Sequence, residues 1–304
     1  MPHLSGLWFR ASAYCQARTK LPFDLFALLL TRLCTSVQPY VSEEGCWHGH
    51  RTFWVDGSAC SMPNTPALQQ AFGQSTEQRP ECGVPVVRLL GLFHAGTGLL
   101  LTRVAAPRLT HDLASVQAVH PSVQAGDVLV ADRGLCLYAH LALLAQAGVH
   151  AVLRLGARQL VDFTPGRPFP SWLTREALAA LPEALVLREV RYRIGTPGFR
   201  TRAITLVTTL LDAEAYRVSE LAALYRRRWQ VETFLAQLKT GRQMDVLHCK
   251  TVLGTLKELT VFAMVYNLVR LVMLQSATLQ YIAVERISFL DALRWLGGPS
   301  TGIP

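Results

Sequence analysis

The chain has 304 residues, half of them hydrophobic, with a formal net charge of +9 and a pI near 9.5. That is enough apolar length to bury a large core in one elaborated domain or in two, which excludes a disordered or fibrous protein, and the positive balance suits a polyanionic partner without naming one. Seven cysteines at irregular spacings, an odd number without a secretory signal, exclude a disulfide-stapled secreted scaffold and fit a reducing cytosol.

Residues 1–45 predict one helix, over 23–34, as a short helical segment ahead of a single large domain over 46–304. The opening is basic and partly apolar but lacks the clean apolar core and cleavage site of a targeting peptide. At 51–55, RTFWV is strand-prone and ends at Asp56, with Gly57 and Ser58 able to turn the chain away. Strands over 86–93 and 99–104 flank the AGTG turn and predict a hairpin. DVLVA at 127–131 then delivers Asp132 into Arg133 and Gly134; a helix over 135–147, closed by Gly148, and a strand over 149–155 complete a βαβ unit. Asp132 thus stands at the carboxyl end of a strand, where α/β sheets place ligands. Each aspartate is a candidate acid and equally a turn or cap residue.

From 155 to 212 the chain is too long for a simple return: Pro165, Pro168 and Pro170 break it, a helix is predicted over 174–180, and strands over 186–194 and 201–211 meet at a GTPG turn. This predicts a strand-rich insertion carrying Arg188, Arg191, Arg193, Arg200 and Arg202. Five arginines on one hairpin suit phosphate tracking, and they would equally protect a solvated sheet edge.

The stretch LAALYRRRWQVETFLAQLK, 221–239, predicts one helix, with Ser219 as N-cap, Glu220 in the first turn and Gly241 beyond the end. Tyr225, Arg228, Glu232 and Lys239 stand at offsets of three, seven and fourteen, which at about 100° per residue fall inside an arc of roughly 60°. A carboxylate among a Tyr, an Arg and a Lys can bind a metal while the bases meet phosphates; a solvated edge with an i,i+4 ion pair has the same spacing. Trp229 borders the apolar stripe and reads as core rather than as a base-stacking ring. A helix over 252–275 is expected to pack behind the 221–239 helix, and a last helix spans 288–296. Its apolar run 259–274, interrupted by Asn267 and Arg270, is shorter than the roughly 20 residues a membrane span needs, so no membrane partner is expected. Cys46, His48 and His50 lack a second pair for zinc, and no phosphate loop or Ser/His/Asp arrangement occurs.

The pattern Y-x2-R-x3-E-x6-K, followed by MDVLHCKT at 244–251, resembles the signature of DDE transposases of bacterial insertion sequences, in the insertion-sequence-four family. The resemblance implies an α/β, ribonuclease-H-like catalytic core with a strand-rich insertion at about 155–212. It implies that Asp56, Asp132 and Glu232 are the catalytic, metal-holding carboxylates and that Tyr225, Arg228 and Lys239 contact the transposon end. Asn64, in the loop after the first acid, stands where the pattern usually shows an acid, outside the catalytic set. Three gathered carboxylates repel one another unless cations intervene, which implies Mg²⁺, two ions, with Mn²⁺ as a substitute. The implied reaction is metal-dependent DNA cleavage and strand transfer on double-stranded DNA, within a homodimer, in the bacterial cytoplasm at the nucleoid. The rivals are a nuclease that cuts without joining and a catalytically silent DNA-binding remnant. Only 55 residues precede Asp56, where the family usually carries a helical DNA-binding domain. A shortened amino-terminal region is therefore expected, with discrimination of the transposon end below the roughly thousand-fold of specific binders.

Overall fold

The computed structural model describes residues 11–43, 46–75, 79, 83–156, 172–194, 202–240 and 246–296. Helices α1 (Ala11–Lys20), α2 (Phe23–Ser36) and α3 (Gln38–Glu43) open the chain and are followed by β1 (Thr52–Ser61), α4 (Pro66–Phe72), β2 (Val86–His94) and β3 (Leu100–Pro107). Then come α5 (Asp112–Val116), β4 (Val128–Ala131), α6 (Tyr138–Gln146), β5 (His150–Arg154) and α7 (Arg175–Ala179). The hairpin strands β6 (Arg188–Ile194) and β7 (Arg202–Thr208) lead to α8 (Val218–Arg227), α9 (Gln230–Thr240), α10 (Val252–Gln280) and α11 (Phe289–Leu296). The chain forms two compact units: Val41–Ser58 with Arg88–Leu235, and Met1–Tyr40 with Ala59–Val87 and Ala236–Pro304.

The first unit is built on a seven-stranded sheet in the order β3-β2-β1-β4-β5-β7-β6. Its centre is parallel, β1 beside β4 beside β5, and β7 and β6 add on antiparallel. The central runs TFWV and VLVA are apolar without alternation because both faces are covered, and every one of their side chains is buried. The hairpin of the strand-rich insertion adds to the core sheet, since β7 pairs with β5 through Val152↔Thr208 to Arg154↔Leu206.

The register between β1 and β4 runs from Thr52↔Val128 to Val55↔Ala131. One step before its first pair, Arg51 meets Asp127 in a two-bond fork, Nε to Oδ1 at 2.8 Å and Nη2 to Oδ2 at 2.7 Å. Asp127 Oδ2 also accepts the Gln124 amide at 2.7 Å. A planar guanidinium fork on a carboxylate fixes relative position as well as charge, so this pair pins the two strands in step.

β1 does not end at Asp56 as expected. It runs on through Gly57 and Ser58 to Ser61, although its pairing with β4 stops at Ala131. The helix expected from 135 starts at Tyr138, because Asp132 caps a short 3₁₀ turn over Arg133–Leu135 first. The ring of His140 is fully buried and its Nδ1 donates to Leu135 O at 2.8 Å, bracing that turn.

Burial holds His140 and His94 as neutral imidazoles, both pushed down to about 4. Their pKa is depressed in the folded chain, so the unfolded chain binds more protons between the ordinary value of 6.5 and about 4. The stability they contribute is complete above pH 6.5 and is lost as pH falls through that window, by up to about 1.4 kcal/mol per pH unit for each histidine. Urea unfolding followed from pH 7 to pH 4 is expected to show this slope, and replacing either histidine by Leu should reduce it.

In the second unit α10 packs chiefly on α2 and α11, where the helix carrying Glu232 was expected as its partner. The helix is also longer than foreseen, 29 residues, and is long and apolar enough by length and composition to cross a bilayer. Half of its most apolar window is nonetheless buried within the protein. Lys257, inside α10, donates to the carbonyls of Arg18, Thr19 and Leu21 and so closes the end of α1. That long-range cap explains a helix that local sequence did not announce.

Candidate active site

Alternation along β1 places Trp54 and Asp56 on one face and Phe53 and Val55 on the other. The Trp54 ring stacks on Phe234 of α9, centroids 5.9 Å apart, and the Arg227 guanidinium lies 6.0 Å from it. This is the face that α8 and α9 cover, so Asp56 is delivered to the joint between those helices. Asp132 arrives beside it: Val55↔Ala131 is the last register pair, and the two aspartates are the next residue on each of two adjacent strands, which run about 4.8 Å apart. Asp132 Oδ1 accepts the Gly134 amide at 2.8 Å, so the cap role and the strand-end position coexist.

The single helix expected over 221–239 is two helices. The amides of Arg228 and Trp229 bond the carbonyls of Tyr225 and Arg226 (3.1 and 3.4 Å), and those of Val231 and Glu232 bond Arg228 and Trp229 (2.9 and 3.2 Å). These i→i−3 bonds wind the joint to about 120° per residue in place of 100°. No Gly or Pro signals the change. It coincides with the inward pull on Arg228, a residue only 6% exposed. Trp229 is turned outward, 59% exposed, against the expectation of a core residue, with Arg228 Cζ 5.5 Å from its ring. The helix start also differs: Arg217 is the N-cap and Ser219 lies in the first turn, while Glu220 accepts the Arg217 amide at 3.0 Å.

Arg228 binds the acids together. Its Nη1 lies 2.9 Å from Asp56 Oδ2 and its Nη2 3.7 Å from Glu232 Oε1. Burial pulls the guanidinium down, but Tyr225, Asp56 and Asp132 more than offset that and hold it above its ordinary value. Burial raises Asp56, and the Gly57 amide and Arg228 oppose it while the charge of Asp132 adds to it. Tyr225 is buried, with Arg228 Cζ 5.7 Å from its ring, and desolvation raises its phenol against the pull of Arg228. Arg228 Nε is buried without a hydrogen-bond partner among the described residues, and the buried Tyr225 hydroxyl interacts with the Arg228 guanidinium. Glu232 is half exposed.

Five of the six signature residues therefore gather in one unit: Asp56, Asp132, Tyr225, Arg228 and Glu232. Lys239 belongs to the other unit, where its Nζ donates to Ala59 O at 2.7 Å. On β6, Arg191 and Arg193 are exposed on the face opposite Val190, and Arg191 pairs with Glu189. Arg188 anchors the hairpin instead, donating to Asp212 O at 3.2 Å and Tyr216 O at 2.6 Å. Arg200 and the side chain of Arg202 lie outside the described residues. The Cys46, His48 and His50 set is not a ligand cluster: His50 bonds Gly126 O and the Tyr216 hydroxyl at 2.6 and 2.8 Å, and His48 lies 3.5 Å from Glu220.

Sequence reasoning missed Asp112. Forked by Arg88 (3.1 and 2.7 Å), it lies behind Gly57, where an added methyl would come 3.0 Å from its Oδ2. The signal was a glycine inside a strand, which marks close approach.

Among the described residues no three His, Cys, Asp or Glu side chains stand at metal-ligand spacing. The donor chemistry still fits a hard divalent cation. Three carboxylates offer oxygen only, and a buried guanidinium on two of them marks where positive charge is held.

Residues 47–268 match the transposase DDE domain family. The chain belongs to that family. Over 275 residues this transposase domain is 24% identical to transposase InsG for insertion sequence element IS4 of Escherichia coli (strain K12), covering 88% of this chain and 62% of InsG. A 62-residue stretch is 36% identical to InsZ of the same strain, a candidate transposase, covering 20% of this chain and 21% of InsZ. In structure the transposase domain is similar to a piggyBac transposase in a synaptic complex with hairpin DNA, with a TM-score of 0.50 and 9% identity over 81% of this chain and 51% of that one. The chain thus spans less than two thirds of the length of each of these relatives. The sheet order and this likeness establish the ribonuclease-H-like α/β fold.

Proposed function

We propose that the chain catalyses metal-dependent cleavage of double-stranded DNA and joining of the resulting 3′-hydroxyl to a target strand, as a transposase of an insertion sequence. The observation that carries this reading is the placement of Asp56, Asp132 and Glu232 around one buried arginine in a DDE domain. Asp56 and Asp132 on adjacent strands, with Glu232 from α9, would hold Mg²⁺, or Mn²⁺ in its place, and a pair of ions is the natural complement of three carboxylates. Bound there, the metal supplies activation of a water or 3′-hydroxyl and stabilises the leaving oxygen. Arg228 and Tyr225 offer donors to a terminal phosphate, the exposed Arg191 and Arg193 add basic surface to the same unit, and Lys239 adds a basic group on the other unit. The homologous relation to InsG supports the transposon end as substrate, and we assign the working form as a dimer on DNA.

Incubation with a duplex carrying the element's end, with Mg²⁺ or with a chelator, tests the reading. Mg²⁺-dependent nicking followed by joining of the 3′-hydroxyl supports it. Nicking without joining leaves a nuclease, and neither reaction leaves a DNA-binding remnant. Lys239→Ala is expected to weaken binding to all duplexes alike and to flatten the plot of log affinity against log salt by up to about one unit, the value of a single phosphate contact. Filter binding over a salt series would measure this, and an unchanged slope would remove Lys239 from the DNA surface.

A further inference from the structure

We propose that Arg228 is a displaceable counter-ion. In the DNA-free chain it neutralises Asp56 and Glu232, and a DNA phosphate that draws its guanidinium away opens those carboxylates to a divalent cation, so DNA and metal bind with positive coupling. This deepens the reading above and rests on it.

The ligand atoms of Asp56 are both engaged. Oδ1 accepts the Gly57 amide at 2.8 Å and Oδ2 holds Arg228 Nη1 at 2.9 Å. One Asp132 oxygen is likewise taken, by the Gly134 amide at 2.8 Å. The backbone amides are fixed by the fold, whereas the arginine is a side chain on rotatable bonds, so the arginine is the group that can leave. While it stays, its charge repels an incoming cation and fills the space between Asp56 and Glu232, 3.7 Å away. The arginine has unused capacity on its other side. Its Nε is a buried donor without a partner among the described residues, and the hydroxyl of Tyr225, whose ring lies 5.7 Å from Arg228 Cζ, interacts with that same guanidinium. A phosphate is the ligand that suits such a pair: it takes charge-assisted bonds from a guanidinium fork and accepts a phenol O–H. Strands of nucleic acid supply it as part of the substrate. The i→i−3 joint at Arg228 and Trp229 places this exchange where the backbone already departs from α-helical geometry.

Coupling between two ligands is reciprocal and commonly amounts to about 5–150-fold in affinity. Mn²⁺ binding to the full chain, counted by electron paramagnetic resonance of the free ion, reads it directly. Arg228→Ala and Arg228→Gln are expected to bind Mn²⁺ at least about five-fold more tightly than the unaltered chain without DNA. A short duplex, after subtraction of what the duplex alone binds, should tighten Mn²⁺ binding to the unaltered chain and leave both variants unchanged. Equal or weaker Mn²⁺ binding by the variants overturns the proposal. If neither variant folds, the duplex arm on the unaltered chain decides alone, and no tightening overturns it. Asp56→Asn separates the two readings. Loss of Mn²⁺ binding in that variant with no gain in the Arg228 variants sinks only the exchange, whereas Mn²⁺ binding indifferent to Asp56 sinks the metal site and the exchange with it.

Discussion

Asp56→Asn is expected to abolish metal-dependent strand cleavage and to lower the melting temperature, while Glu232→Gln abolishes cleavage and leaves melting where it was. Either change removes charge at the place where the metal would be held. With several kcal/mol of transition-state stabilisation at stake, cleavage should fall by at least about a hundred-fold. The stability effects diverge because the two carboxylates do different structural work. Asp56 holds the guanidinium of Arg228 at 2.9 Å, and that side chain is 7% exposed. Losing the charge leaves a buried cation whose remaining salt bridge among the described residues is with Glu232 at 3.7 Å, a loss of about 1–3 kcal/mol. For a unit of this size that is about 2–12 °C in melting temperature. Glu232, half exposed, makes only the longer pair, so its amide should change stability by less than about 0.5 kcal/mol. A gel assay of nicking and a melting curve on each variant check both parts. Equal melting shifts for the two would mean that the Asp56 pair carries no special weight.

Asp127→Ala should be the most destabilising single change in the sheet, although it touches no chemistry. The Asp127 side chain is 4% exposed, receives both arms of Arg51 and also accepts the Gln124 amide. Breaking one side of such a pair strands a charge and costs about 3–5 kcal/mol, or about 6–20 °C in melting temperature. Cleavage should fall with it, because the fork pins the strands that carry Asp56 and Asp132. Changing Arg51 and Asp127 together to Met and Leu should recover most of the stability, since an apolar pair leaves nothing uncompensated. A double variant no more stable than Asp127→Ala would show that the fork is not what holds the strands in step.

The parallel core could be read from sequence because its physics is local. Unbroken apolar runs of four residues, each followed by an aspartate, read as buried strands with a candidate acid close behind, and the family resemblance supplied their order in the sheet. The Glu232 helix was legible through spacing, which survives a tightened joint because Tyr225, Arg228 and Glu232 lie close to it. What escaped was set by distant partners. α1 is closed by Lys257 from 237 positions beyond Lys20 (257 minus 20), so nothing in its own residues foretold it. The joint at Arg228 carries no Gly or Pro, and the carboxylate that holds Arg228, that of Asp56, lies 172 residues away. β1 outran its expected end because Gly57 reads as a turn former, while here it is small to make room for Asp112. The 188–208 hairpin alternates as an edge should, but alternation does not say which sheet a hairpin joins.

The fork between Arg51 and Asp127 also makes chain length itself a functional quantity. Asp56 lies five residues beyond Arg51, and Asp132 five beyond Asp127. Because side chains alternate across a strand, one residue gained or lost within either interval would send its aspartate to the wrong side of the sheet. The two intervals can change only together and only by even numbers. Under the function proposed above, active relatives of this chain are therefore expected to differ in amino acids across the stretches matching 51–56 and 127–132 but never in count, and a survey of insertions and deletions would separate active from inactive ones without an assay.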